Sequence, residues 1–166
     1  MSRVESPFIS SLSSLKFNNY SITFPTRSDS TVEPKTEHVN GKLTLGENLA
    51  DAGGIVRAWE SWHIDMAKDE ELKKAASTTP PLLKNRNPRL PGLDKYSKEQ
   101  LFFMAFGQLW CSQSKDEREV KLLRTDPHSP AQFRVNGVAQ NSVKFAESFK
   151  CPVGSAMNPE RKCMVW

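Results

Sequence analysis

Residues 41–62 read GKLTLGENLADAGGIVRAWESW, and this stretch decides the fold of the chain. Its apolar side chains recur at helical spacing, which predicts an α-helix of about five turns from Thr44 to Trp62. On that helix Glu47 and Asp51 are four residues apart, so their carboxylates lie on one face. The sequence therefore places an acidic pair on an otherwise apolar element.

Two glycines in the middle of this helix disagree with the pattern. Gly53 and Gly54 each weaken a helix by up to about 1 kcal/mol relative to Ala. We expect either the close approach of another backbone or a local break at this point.

Further helices are predicted along the chain. The polar run DMAKDEELKKAAS can continue the first helix, and Ser97 with Gln100 forms a capping box for the apolar segment KEQLFFMAFGQLWC. That segment is apolar on most sides, which predicts a helix buried between others. A charged helix is expected at residues 115–123, an extended segment at FRVNGV (133–138), and a last short helix capped by Asn141 and ending near Phe149.

The chain divides into a lead-in and a packed part. Residues 1–40 are rich in Ser and Thr and are expected to be largely irregular, with one strand near YSITF. Residues 41–166 form the predicted folded domain, interrupted by a Pro-rich loop at 78–93. The expected fold class is mainly α.

Composition and charge exclude several protein classes. With 166 residues, 37% hydrophobic and 25% charged, the chain fits one soluble globular domain. No apolar run approaches the roughly 18 residues of a membrane span, and the N-terminus lacks a secretory pattern, so a complete chain would be cytoplasmic. The net charge of +4 arises from interspersed Lys and Arg, which favours a solvated surface over a nucleic-acid interface.

The chemistry of the polar residues is ambiguous when each is taken alone. The Glu47 and Asp51 pair could bind a metal, act as a base, cap a helix or form a surface ion pair, and the last is the commonest case. His128 lies between Pro127 and Pro130, which predicts an exposed loop. Arg134 would ordinarily be an ion-pair partner.

Four motifs in order are much more specific. They are GENLADAGG (46–54), LPGLDKYSKEQLFFMAFGQLWC (90–111), DPHSPAQFRVNG (126–137) and MNPERKCMVW (157–166). From about Gly41 to Trp166 the chain resembles the C-terminal part of the neprilysin and endothelin-converting-enzyme family of zinc metallopeptidases. The resemblance implies the C-terminal helical lobe of a thermolysin-like (zincin) domain, acting on peptides, in a family that is cell-surface or secreted.

The resemblance also implies a role for each residue of the motifs. Glu47 falls on the third zinc ligand, and Asp51 falls on the carboxylate that orients the catalytic histidine. That histidine is His128, which stabilises the oxyanion of the tetrahedral intermediate. Arg134 would bind a backbone carbonyl of the substrate, and Trp110 would line the primed-side specificity pocket. A carboxylate suits a catalytic zinc site that leaves one position for water, and a fixed imidazole suits an oxyanion.

One part of the family's site has no counterpart in this sequence. The first two zinc ligands and the general base of the family lie on an upstream His-Glu-x-x-His helix, whereas His38, His63 and His128 are the only histidines here and none precedes Glu. This chain alone is therefore expected to be catalytically incompetent and not to bind zinc tightly, as a truncated or fragmentary product. The alternative is a non-catalytic module that binds peptides or a complementary N-terminal lobe.

The cysteines are consistent with a missing partner. Cys111, Cys151 and Cys163 are odd in number, and in the family the matching cysteines pair with others earlier in the chain. A thiol site of Cys111 with His128 is a weaker interpretation, since the LWC segment suits burial or a disulfide. Glu60 and His63 form a single E-x-x-H, which is too little for a di-metal site.

Overall fold

The computed structural model describes residues 21–24, 35–75 and 91–163, and their architecture is mainly helical. Two short strands, β1 (Ser21–Phe24) and β2 (Lys35–His38), pair antiparallel with Ser21 opposite His38. The helices that follow are α1 (Leu45–Ala75), α2 (Lys98–Leu109), α3 (Asp116–Thr125), α4 (Ala131–Asn141) and α5 (Val143–Phe149). The predicted fold class is confirmed.

Helix α1 is one continuous element that includes the polar run predicted to extend it. Of the two alternatives expected at its glycines, the local break is wrong, because the helix passes through Gly53 and Gly54 without interruption. At Gly54 an added Cβ would meet nothing within 4 Å, so no neighbouring backbone approaches there. The helical periodicity of the flanking apolar residues outweighs the weak propensity of glycine.

Helix α2 begins as predicted. The Ser97 side chain accepts a hydrogen bond from the backbone N–H of Gln100 at 3.2 Å, and the Gln100 side chain accepts one from the backbone N–H of Ser97 at 3.0 Å. The expectation that α2 is buried on most sides is wrong. Phe103 is buried, whereas Met104 is 39% and Leu109 is 80% exposed. One apolar face of α2 thus remains open to solvent among the described residues.

Helix α4 occupies the segment that was predicted to be extended. Its β-branched valines suggested a strand, but Phe133, Gly137 and Val138 are buried together at helical spacing. Burial of that stripe decides the conformation over local β-propensity. The following cap also shifts by one residue, because Ser142 rather than Asn141 accepts from the backbone N–H of Phe145, at 3.1 Å.

The hydrophobic core consists of two clusters of buried residues. Val39, Leu123 and Phe133 form the first, which joins the chain after β2 to α3 and α4. Ile55, Phe103 and Val138 form the second, where α1, α2 and α4 meet. Five partly buried aromatic residues pack against it: Trp59, Phe102, Phe106, Phe145 and Phe149. The second cluster holds α1 and α4 side by side.

The structure places residues just before position 40 in contact with the folded domain, whereas the boundary between the lead-in and the domain was expected at that position. Val39 is 3% exposed in the first cluster, and Glu37 accepts a 2.7 Å hydrogen bond from Arg124 on α3. The packed part therefore begins before Gly41. Strand β1 lies at the predicted YSITF segment, β2 was not predicted, and most of the Pro-rich loop lies outside the described residues. Within the described ranges, no helix has the length and apolar content needed to cross a membrane.

Candidate active site

The site residues converge where the first turns of α1 face α4 and the loop before it. Glu47 and Asp51 lie on α1, His128 lies on the 126–130 loop, and Arg134 lies on α4. The loop starts at the end of α3, where the Asp126 backbone N–H donates to the carbonyl of Leu122. It ends at the start of α4, where the Pro130 carbonyl accepts from the backbone N–H of Phe133. Residues far apart in sequence are thereby placed on one surface.

His128 has two carboxylate neighbours. Its Nδ1 lies 2.6 Å from Asp126 Oδ1, and its Nε2 lies 3.3 Å from Glu47 Oε2. The backbone N–H of His128 also donates to Asp126 Oδ1 at 2.8 Å. The predicted role of Asp51 as the residue that orients His128 is therefore corrected, because Asp126, two residues before the histidine, occupies that position.

The hydrogen bonds from His128 have an electrostatic effect on Asp126. The backbone N–H of His128 first, and then its ring, lower the pKa of the Asp126 carboxyl below its usual value. Hydrogen bonds to a carboxylate favour the charged form. Asp126 therefore stays ionised beside the imidazole and can hold a proton on Nδ1.

Asp51 forms an ion pair with Arg134 instead. Arg134 Nε donates to Asp51 Oδ2 at 2.5 Å, and Nη2 donates to Oδ1 at 2.6 Å. The two side chains are 12% and 11% exposed. Arg134 Nη2 also lies 3.7 Å from Glu47 Oε2, so the guanidinium contacts the carboxylates of both Glu47 and Asp51 on α1. A two-point pair of this kind fixes both position and plane of the guanidinium.

Trp110 covers one face of that guanidinium. The Arg134 Cζ atom lies 4.0 Å from the centre of the Trp110 ring, within range of a cation–π contact. The Trp110 Nε1 atom is buried and has no hydrogen-bond partner in the described structure. The residue predicted to line a substrate pocket is thus in direct contact with the residue predicted to bind a substrate carbonyl.

Sequence reasoning missed three residues of this region. Asp126 was available from the Asp-Pro-His spacing, because an Asp side chain commonly accepts from the backbone two residues further on. Asn48 and Ser129 directly follow Glu47 and His128, and they bond to each other in the interior. No local pattern reveals that second pair, since it forms only when α1 meets the loop.

Glu47 is accessible to solvent, and the described residues do not form a metal site. Its side chain is 41% exposed beside His128, which leaves a carboxylate oxygen accessible. Among residues 21–24, 35–75 and 91–163, no group of three His, Cys, Asp or Glu side chains is arranged to hold a metal ion. Glu60 pairs with Arg57 at 2.7 Å, and His63 packs on Trp59, so the E-x-x-H pair serves other contacts.

The three cysteines are free thiols in the structure. Cys111 is exposed just after α2, so burial, one of the two alternatives expected for it, is not seen, and its Sγ lies 4.0 Å from the Gly107 carbonyl oxygen. Burial raises the pKa of the Cys163 thiol. A disulfide with a cysteine elsewhere remains a prediction for each of them.

Comparison with known proteins identifies the family of this chain. The sequence profile of Peptidase family M13 matches residues 18–165, which begins ahead of the resemblance noted from Gly41. Rabbit (Oryctolagus cuniculus) neprilysin is 45% identical over 130 residues, covering 78% of this chain and 15% of that protein. An endothelin-converting enzyme homolog of Locusta migratoria is 45% identical over 142 residues, covering 84% of this chain and 17% of that protein.

A solved structure shows the same likeness in three dimensions. The Mycobacterium tuberculosis zinc metalloprotease in complex with an inhibitor superposes with a TM-score of 0.67 at 28% identity, covering 96% of this chain and 21% of that one. The chain thus spans about one sixth to one fifth of the length of these relatives. It belongs to peptidase family M13, the neprilysin family.

Proposed function

We propose that this chain supplies one side of the active site of a neprilysin-like zinc metalloendopeptidase. The observation that carries the proposal is the convergence of Glu47, His128 and Arg134. Glu47 Oε2 lies 3.3 Å from His128 Nε2 and 3.7 Å from Arg134 Nη2. Peptide hydrolysis by a metalloenzyme requires a metal ligand, a donor for the oxyanion and donors that orient the substrate backbone. The cluster offers one residue for each task.

His128 is the oxyanion donor in this proposal. Asp126 accepts from Nδ1, so the ring is held in one orientation with Nε2 directed toward Glu47. The histidine side chain is 48% exposed, which leaves it accessible to a substrate. When the ring carries a proton on both nitrogens, its Nε2–H can donate to a developing negative charge.

Arg134 is the residue that orients the substrate. A guanidinium has five N–H donors, and two of those of Arg134 are engaged by Asp51. The remaining donors can bind a backbone carbonyl, while Asp51 and the Trp110 ring keep the side chain from rotating. Trp110 then lies beside the bound peptide and can contact its side chain.

Zinc is the metal that the family implies, and Glu47 is the ligand that this chain would contribute. Bound zinc polarises the scissile carbonyl and lowers the pKa of a coordinated water. The sequence has no His-Glu-x-x-His, so the other two ligands and the base must come from another part of the peptidase. By itself the chain is proposed to be inactive.

A zinc titration and a peptidase assay test the proposal. The purified chain should neither bind zinc tightly nor cleave a peptide with bulky hydrophobic residues. When it replaces the matching segment of a neprilysin that carries His-Glu-x-x-His, the chimera should bind zinc and cleave the peptide, and Glu47→Ala should abolish both. Zinc-dependent cleavage by the chain alone would contradict inactivity. A folded Glu47→Ala chimera with undiminished zinc affinity would contradict the ligand assignment.

A second candidate function is a binding module without catalysis. A groove of about 550 Å³ runs along α1 and is lined mainly by apolar side chains, including Ile55, Trp59 and Phe103. Ile64, at its edge, is 55% exposed. Since the chain spans 15% of neprilysin, a complementary part of a peptidase is the partner that this groove would accept. Sedimentation of the chain with an upstream neprilysin segment tests this: no association with a folded segment would count against it.

A further inference from the structure

A buried hydrogen bond links helix α1 to the 126–130 loop, the two segments that carry Glu47 and His128. Ser129 Oγ donates to Asn48 Oδ1 at 2.8 Å, across a separation of 81 residues. Ser129 is 4% exposed and Asn48 is 2% exposed, so water does not compete for either group. Removing one member would leave the other polar group buried without its partner, which is costly.

The Asn48 side chain is itself held by a hydrogen bond to Thr44, four residues earlier in the chain. Its Nδ2 donates to Thr44 Oγ1 at 3.0 Å, and Thr44 Oγ1 donates to the carbonyl of Asn40 at 3.2 Å. Thr44 is 2% exposed. The chain of bonds uses both ends of the Asn48 amide, which determines the direction in which its Oδ1 points. The amide therefore presents a fixed acceptor to the loop.

The hydrogen bond between Asn48 and Ser129 lies directly next to the candidate active site. Asn48 follows Glu47, and Ser129 follows His128. The Glu47 and His128 side chains are 41% and 48% exposed, and a contact between two such exposed polar side chains holds them only weakly. Asp126 holds the His128 ring within its own loop, and the buried neighbours hold that loop to α1.

We infer that Asn48 and Ser129 are positioning residues, which hold Glu47 on α1 and His128 on the loop at their observed separation. The catalytic meaning of that separation rests on the proposed function. The restraint itself is a property of this chain and does not require zinc, a substrate or another part of a peptidase.

Nuclear magnetic resonance of the histidine rings tests the inference. The three histidines, His38, His63 and His128, give three sets of ring signals in histidine-labelled protein, so two serve as internal references. We expect Ser129→Ala to lower the order parameter of the His128 ring, because the loop that carries the ring is no longer tied to α1. The nuclear Overhauser contact between Glu47 and the His128 ring should be lost, while the other two rings are unchanged.

Two more variants make the result decisive. Ser148→Ala is the matched control, because Ser148 Oγ donates to the Lys144 carbonyl at 2.7 Å on α5 and not to the site; it should leave His128 unaffected. Ser129→Cys keeps the size of the side chain but weakens the donor, and it should give an intermediate loss of ring order even if the alanine variant does not fold. A lower melting temperature with unchanged His128 order and an intact Glu47 contact would show a merely structural role and overturn the inference. Neither result depends on peptidase activity.

Discussion

Arg134 on α4 binds Asp51 on α1 through two parallel hydrogen bonds, 2.5 Å from Nε to Oδ2 and 2.6 Å from Nη2 to Oδ1. Both side chains are close to nine-tenths buried. The pair therefore ties two helices together at the base of the site, and its carboxylate is not available to His128.

Replacing Asp51 should destabilise the protein far more than replacing an exposed carboxylate on the same helix. Asp51→Ala leaves a largely buried guanidinium without its partner, and we expect a loss of about 2–4 kcal/mol in the free energy of unfolding. Glu60→Ala is the control, because Glu60 pairs with Arg57 at 2.7 Å while both are exposed, and it should cost less than about 1 kcal/mol. Urea denaturation measures both, and equal losses would contradict the role given to Asp51.

The stacking of Trp110 on Arg134 predicts a difference between two substitutions. Trp110→Phe keeps an aromatic face 4.0 Å from the guanidinium and removes the unpartnered Nε1–H, so it should cost less than about 1 kcal/mol. Trp110→Ala removes the ring and should cost about 2–4 kcal/mol. Thermal unfolding monitored by circular dichroism compares them. Equally stable variants would show that the ring contributes nothing to holding Arg134.

Asp126 predicts a dependence of stability on pH. Because hydrogen bonds from His128 lower its folded-state pKa, the ionised carboxylate stabilises the fold above the unfolded-state pKa of about 3.9. The contribution is lost as the pH falls through the lowered folded-state pKa. We expect Asp126→Asn to be less stable than wild type at pH 7, with the gap closing in acid.

Unfolding by urea between pH 7 and pH 2 measures this gap. Asp65→Asn is the control, since the Asp65 carboxylate is exposed and lies 3.7 Å from Lys68. It should change stability by less than about 0.5 kcal/mol. A gap for Asp126→Asn that is constant with pH would mean that the charge of the carboxylate plays no part.

The capping box of α2 predicts a local loss of stability. Ser97→Ala removes the acceptor for the backbone N–H of Gln100 and should cost about 1 kcal/mol. Ser61→Ala, at an exposed position inside α1, should be neutral or slightly stabilising because alanine favours helix. Chemical denaturation distinguishes the two. No loss for Ser97→Ala would indicate that packing of α2 alone determines where the helix starts.

Much of this protein could be read from its residues in order. The apolar spacing after Thr44 predicted α1, the Ser97 and Gln100 pair predicted the start of α2, and the two prolines around His128 predicted a loop. These features depend on neighbours within a few residues, where backbone geometry and capping chemistry act. The ordered motifs by themselves likewise indicate the family.

The tertiary structure decided the rest. It made residues 131–141 a helix, because burying Phe133 and Val138 outweighed the local preference for extended chain. It also decided that Asp51 pairs with Arg134 and that Asp126 holds His128. Sequence spacing put Glu47 and Asp51 on one face of α1. A carboxylate, however, binds whichever cation the fold brings within about 3 Å, and that distance is determined only when separate elements pack together.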